Sequence, residues 1–226
     1  MKFGARRAVP LGQQHDLENT HPAAGALHRR FADLLLFSVT LVELTILVRQ
    51  TDTFTFVDWV YVSQHLLVLA FAFARRAPEV QDHSLPSNAA VIVSYGYPYA
   101  QVLLLGWRPG EPAWPAGGTV LVTLAACLSL ASLISLGRSF GIRPALRGLQ
   151  TNGTYQFVRH PIYLSYVIGD VGYNLYEWNV GTILLVLVGW ASLFYRIRAE
   201  ERVLSHDPGW LAYVASVPYR LLPGLW

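Results

Sequence analysis

Long apolar stretches separated by short clusters of charge, proline and glycine set the pattern of this chain. They fall at Phe31–Val48, Val57–Ala74, Ala89–Trp107, Thr119–Leu136, Ile162–Tyr176 and Val180–Tyr195. The first four have room for the roughly 17–25 helical residues that cross a bilayer. Thr119–Leu136 is the cleanest of them. Pro98, with Tyr95, Tyr97 and Tyr99 around it, predicts a kink in the third span without abolishing it. At about 1.5 Å per residue the last two runs cover roughly 22–24 Å, short of a ~30 Å hydrocarbon core, and predict a tilted or protein-buried helical hairpin. Its turn is Glu177, Trp178 and Asn179. The fold expected is all-α: a polytopic membrane helical protein of about six apolar helices, the last two a short hairpin.

The remaining stretches divide the chain. Residues 1–30 mix charge, Pro and Gly without a sustained period and read as an amino-terminal arm, with no cleavable secretory signal. Residues 31–136 form a four-helix transmembrane region in which Arg108–Gly118 is a Pro- and Gly-rich loop. Residues 137–226 hold a polar connection from Gly137 to His160, the hairpin, and a tail from Arg196 that is amphipathic and aromatic. Trp210, Tyr213, Tyr219 and Trp226 suit the headgroup level, so the tail is expected to lie against the membrane surface.

Composition agrees with a membrane class: 53% of residues are hydrophobic and only 14% charged, against roughly 25% charged in soluble chains. A net charge of +3 and a pI near 9.1 invite a nucleic-acid reading. The basic residues, however, sit at the ends of apolar runs and form no stripe, so no nucleic-acid partner is expected. With six crossings, all 17 Lys and Arg residues except Arg49 and Arg108 fall on one side of the membrane. That side is then the cytoplasm and receives both termini. Cys127 is the only cysteine, which removes any intrachain disulfide. His65 has no second ligand three or four residues on, and no metal site is expected.

Two clusters carry chemistry. In the first, NGTYQFVRHPIY from Asn152 to Tyr163, Pro161 suits the first position of a helix and His160 its cap. The free N–H groups there favour an anion beside Arg159 and His160, and Tyr163 shares their face. In the second, RIRAEER from Arg196 to Arg202, Glu200 and Glu201 point roughly 100° apart on a helix, which leaves one for a ligand while the other pairs with arginine. Each cluster alone also reads as a basic interfacial anchor or a solvated helix end. The hairpin returns the chain to the side it left, so the clusters should meet. Within the apolar runs, Glu43, His65 and Asp170 fit interhelical hydrogen bonds or contact with a substrate. Asp33, Asp58 and Glu177 lie near span ends, and Gly169 and Gly172 suit close helix packing.

GRSFGI at Gly137–Ile142, GTYQFVRHPIY at Gly153–Tyr163, the pair Glu200 and Glu201, and the close YVASVPYRLLP at Tyr213–Pro223 together resemble the isoprenylcysteine carboxyl methyltransferase family and its phospholipid N-methyltransferase relatives. The resemblance implies an integral-membrane methyltransferase with a cytosolic S-adenosylmethionine site. Tyr155, Arg159, His160, Tyr163, Glu200 and Glu201 would bind the cofactor, and Arg196 or Arg220 would hold an acidic acceptor. The acceptor implied is lipidic or prenylated, an isoprenylcysteine carboxylate first among them. Ser165 stands where the family often has glycine, and Thr154 and Gln156 where it has proline and arginine. Two alternatives stay open: an NADPH-dependent, sterol-reductase-like enzyme, which usually carries Arg-Asp where this chain has Ala199-Glu200-Glu201, and a non-catalytic membrane module or transporter built on Glu43, His65 and Asp170. Residues 1–130 carry no resemblance, and the sequence leaves the oligomeric state open.

Overall fold

The structure, a computed structural model, describes residues 56–105, 115–176 and 180–224, with isolated helical positions between Phe37 and Arg49. The arm at residues 1–30, Asp33, Glu43, the Asp58 side chain, the turn at residues 177–179 and Trp226 lie outside the described residues. Helices dominate: α1 Phe56–Ala74, α2 Leu85–Leu105, α3 Pro115–Leu136, α4 Pro161–Tyr176, α5 Val180–Leu204 and the short α6 Trp210–Ser216. Pro98 is accommodated inside α2, as its place in an apolar run predicts. Pro115 opens α3, where a missing N–H costs nothing, so the last residues of the expected Arg108–Gly118 loop are helical.

Two of these helices are long and apolar enough to cross a bilayer: α3, continued to Ser139, and α5. Only 22% and 33% of their apolar windows are buried, so most of each surface faces outward. Ile134, Leu184 and Val188 are each more than half exposed. An apolar exterior on a helix of this length is what a lipid solvent selects.

α4 packs mainly on α3, and α5 mainly on α2; α4 and α5 touch each other less. The expected hairpin partners are thus each held by an earlier helix. Gly172 explains the α3–α4 contact, since a Cβ there would stand 3.0 Å from Leu121 Cβ and from the Val122 backbone N. Asp170 joins three helices by accepting hydrogen bonds from Tyr97 Oη of α2 (2.8 and 2.9 Å) and Trp190 Nε1 of α5 (2.8 Å). Of the two readings open for Asp170, the geometry displays the interhelical one.

The connection between α3 and α4 is more ordered than an all-α reading foresaw. A two-residue antiparallel ladder pairs β1 (Val80–Gln81) with β2 (Ala145–Leu146), Val80 opposite Leu146 and Gln81 opposite Ala145. Two residues have no readable period, so the sequence carried no sign of it. Arg138 adds a second tie. Its Nε donates to Ala74 O at 2.8 Å, putting a cation on the carbonyl end of α1, and its own carbonyl accepts from Arg76 N at 2.9 Å.

Candidate active site

The site is assembled at the end of the helices where α4 begins and α5 finishes. Gly153 has a positive φ of 65°, and a Cβ on it would come within 2.8 Å of Ser135 Cβ. This close approach lets the turn Gly153–Gln156 seat against α3, with Thr154 N donating to Ser135 Oγ at 3.3 Å. Tyr155 is thereby buried. From the other side the tail pairs with the start of α4: Arg159 N donates to Tyr219 O and His160 N to Arg220 O, both at 2.9 Å. Trp210 and Tyr213, expected at the headgroup level, are buried in the protein. Trp210 lies under the Arg159 guanidinium at 6.0 Å, and Tyr213 Oη donates to Tyr155 O at 2.8 Å. The VPYR segment needs these anchors to stay beside residues 159–160.

α5 does not stop at the end of its apolar run. It continues through both glutamates to Leu204, because Ile197, Ala199 and Val203 face inward at 0–1% exposure. On the same inward face lies Arg196, only 3% exposed. Its burial is compensated at both terminal nitrogens, while Nε has no hydrogen bond among the described residues. Nη1 donates to Ser94 Oγ at 2.8 Å, Nη2 to Ile142 O at 3.0 Å and lies 3.9 Å from Glu200 Oε1, and the Tyr95 and Tyr163 rings each lie 5.2 Å away.

The two glutamates divide. Glu201 Oε1 is 2.9 Å from Arg159 Nε and 3.5 Å from His160 Nε2, while its Oε2 accepts from Arg220 Nε and lies 2.8 Å from Arg220 Nη2. Glu200 accepts from Tyr163 Oη and has His160 Nδ1 at 3.7 Å. The His160 and Tyr163 rings stack with centroids 5.7 Å apart.

These groups border an open cavity of about 830 Å³, its mouth included. Of the residues singled out in sequence, Tyr155, Arg159, His160, Tyr163, Arg196 and Glu200 line it; Glu201 and Arg220 stand behind its wall. Among residues the sequence did not assign to the site, Tyr95, Arg143, Tyr166 and Tyr213 also line it. Tyr95 comes from a helix with no family resemblance, and its only signal was a cluster of tyrosines inside an apolar run. Arg143 registered only as a topology charge. Burial, reinforced by the Glu200 charge, pushes the Tyr155 phenol well up, and burial takes Tyr213 to about 12. Both therefore stay neutral at physiological pH. Ser165 donates to Ile162 O at 2.6 Å, so its hydroxyl is satisfied within its own helix, and Gln156 is exposed.

Such a cavity suits a cationic, partly polar ligand: one carboxylate on its wall, several aromatic faces, and arginines among its lining. Comparison with known proteins bears on the chemistry. Residues 118–206 match the model of the isoprenylcysteine carboxyl methyltransferase (ICMT) family. The chain is 31% identical over 108 residues to protein-S-isoprenylcysteine O-methyltransferase A of Arabidopsis thaliana, covering 44% of this chain and 55% of that protein. It is 31% identical over 109 residues to the B form from the same plant, covering 45% and 55%. The match thus spans about half the length of these curated relatives.

Proposed function

We propose, on the premise that residues 118–206 belong to the isoprenylcysteine carboxyl methyltransferase family, that this membrane protein is an S-adenosylmethionine-dependent methyltransferase acting on a lipidic or prenylated acceptor. An isoprenylcysteine carboxylate is the favoured acceptor, as the relatives' names suggest. The observation that carries the reading is the division of labour between the glutamates. Glu201 is engaged by Arg159 and Arg220, and Glu200 is held by Tyr163 on the cavity wall.

The donor set fits the cofactor. Glu200 presents a carboxylate to hydroxyls or an amino group, and His160 at the start of α4 suits an acidic group. The rings of Tyr95, Tyr163 and Tyr166 suit a cationic sulfur. When bound, S-adenosylmethionine supplies a methyl group on a sulfonium, which a carboxylate lone pair accepts as the sulfur–carbon bond breaks. No proton moves in that step. The protein's tasks are to exclude water, to align the acceptor and to keep it ionised. Arg196, with its Nη1 and Nη2 donating to Ser94 and Ile142, acts by fixing Tyr163 and Glu200. Glu201 acts through Arg159 and His160. The acceptor's apolar part enters from the bilayer between helices whose outer faces are apolar. Six spans, the last two a hairpin, and a cytoplasmic site with both termini beside it, complete the reading; the distribution of Lys and Arg supports that orientation.

Calorimetry on the detergent-purified protein tests it. S-adenosylmethionine should bind and NADPH should not. Glu200→Gln and His160→Ala should each weaken binding roughly 10- to 150-fold, the loss of one charge-assisted partner. Binding of NADPH alone would transfer the protein to the reductase reading, and binding of neither would leave the non-catalytic one.

A further inference from the structure

We propose that Arg143 is the carboxylate-gripping residue of the cavity. The inference rests on the methyltransferase reading and adds to it a residue from the connection between α3 and α4. Arg159, Arg196 and Arg143 are the arginines on the cavity wall. Arg159 is engaged by Glu201 and by Val217 O, to which its Nη1 donates at 3.3 Å. Arg196 is engaged by Ser94, Ile142 O and Glu200. Arg143 has neither an ion pair nor a hydrogen bond among the described residues, and it is half-buried. Burial without a countercharge draws its guanidinium below the ordinary value, though an arginine remains charged. The cavity thus holds one cation whose charge nothing in the described structure balances.

The backbone that carries it is fixed on both flanks. Ile142 O accepts from Arg196 Nη2 at 3.0 Å, and Pro144 O accepts from Asp82 N at 3.0 Å. Ile142 and Pro144 are both buried. The one side chain between them that reaches the cavity is therefore presented from a rigid base, with little backbone ordering left to occur on binding. A planar guanidinium of this kind selects a carboxylate, which it meets with two parallel hydrogen bonds. Two molecules in the proposed reaction carry one: the amino-acid end of S-adenosylmethionine and the terminal carboxylate of a prenylcysteine. The chemistry at Arg143 is the same for both.

Arg143→Gln and Arg143→Lys, each compared with the unaltered protein, test the assignment and separate the two sources. Calorimetry measures S-adenosylmethionine affinity, and a second titration uses an S-farnesylcysteine carboxylate beside its carboxamide. Loss of roughly 10- to 150-fold in S-adenosylmethionine affinity in the Gln variant, partly restored by Lys, assigns the grip to the methyl donor. Unchanged donor affinity, with a loss of that size for the farnesyl carboxylate but not for the carboxamide, assigns it to the acceptor. Because the side chain holds no described partner, thermal unfolding of both variants should match the unaltered protein. Full affinity for both ligands in Arg143→Gln overturns the assignment while leaving the methyltransferase reading intact. Failure of the unaltered protein to bind S-adenosylmethionine overturns that reading and the assignment with it.

Discussion

Two carboxylate centres in this molecule meet opposite solutions to the same difficulty. Asp170, inside the helical layer, is surrounded by apolar helix and held by neutral donors, Tyr97 of α2 and Trp190 of α5. Glu200 and Glu201, at the end of α5, are held among Arg159, Arg196, Arg220 and His160. The first arrangement uses every described hydrogen bond to join α2, α4 and α5, leaving the carboxylate no role outside the fold. In the second, Glu201 satisfies Arg159 and Arg220, and Glu200 remains on a cavity. A carboxylate in an apolar layer therefore reads as a rivet, whereas a pair of them among arginines can divide structure from binding.

The largest effect expected of breaking that comparison is in Glu201→Ala. Arg159, buried against Trp210, loses the acidic partner 2.9 Å away, and the Arg220 side chain loses its hold on the end of α5. Removing one member of a buried ion pair costs about 3–5 kcal/mol. Chemical unfolding in detergent should display a loss of that order, with S-adenosylmethionine binding falling because the wall behind His160 loosens. A Glu201→Ala protein as stable as the unaltered one would mean that the glutamates do not divide their roles as drawn.

Which parts were legible in sequence follows the range of the interactions. The α3 span and Pro98 within α2 follow from local composition, and residues 196–202 meet residues 159–163 because a chain that turns back must return to its starting side. The helix through Glu200 and Glu201 was legible, but the burial of Arg196 on it was not. Arginines ended the apolar run, and what permits Arg196 to be buried is Ser94 and Tyr95, about a hundred positions earlier. For the same reason the burial of Trp210 and Tyr213 was misread as an affinity for headgroups: their partners Arg159 and Tyr155 are distant in sequence. Glu200 and Glu201 were legible as a pair with two roles but not as to which takes which, since the positions of Arg159 and Arg220 decide which of them is neutralised.

Asp170→Ala should produce the next largest effect and sharpen the contrast. It strands the Tyr97 hydroxyl and the Trp190 indole N–H, at a cost of about 1–3 kcal/mol for a buried donor left unsatisfied, moderated by the new partners a membrane chain finds. The unfolding midpoint should fall while affinity for S-adenosylmethionine stays at that of the unaltered protein. If affinity fell as far as in Glu200→Gln, the two centres would be coupled, and Asp170 would belong to the site.

The smallest effect belongs to a charge in the same cluster that neither centre uses. Arg202 is one turn beyond Arg198 on α5, exposed, and without an ion pair among the described residues. Its formal charge equals that of Arg159, so an account based on total charge near the glutamates would have the two arginines contribute alike. An account based on burial separates them, because water screens an exposed cation while Arg159 is buried against Glu201, Val217 and Trp210. Arg202→Ala should therefore shift stability by no more than about 0.5 kcal/mol and leave S-adenosylmethionine affinity unchanged in the calorimeter. A tenfold loss of affinity in that variant would show the ligand to be held by the field of the whole cluster, and the partition between Glu200 and Glu201 would lose its meaning.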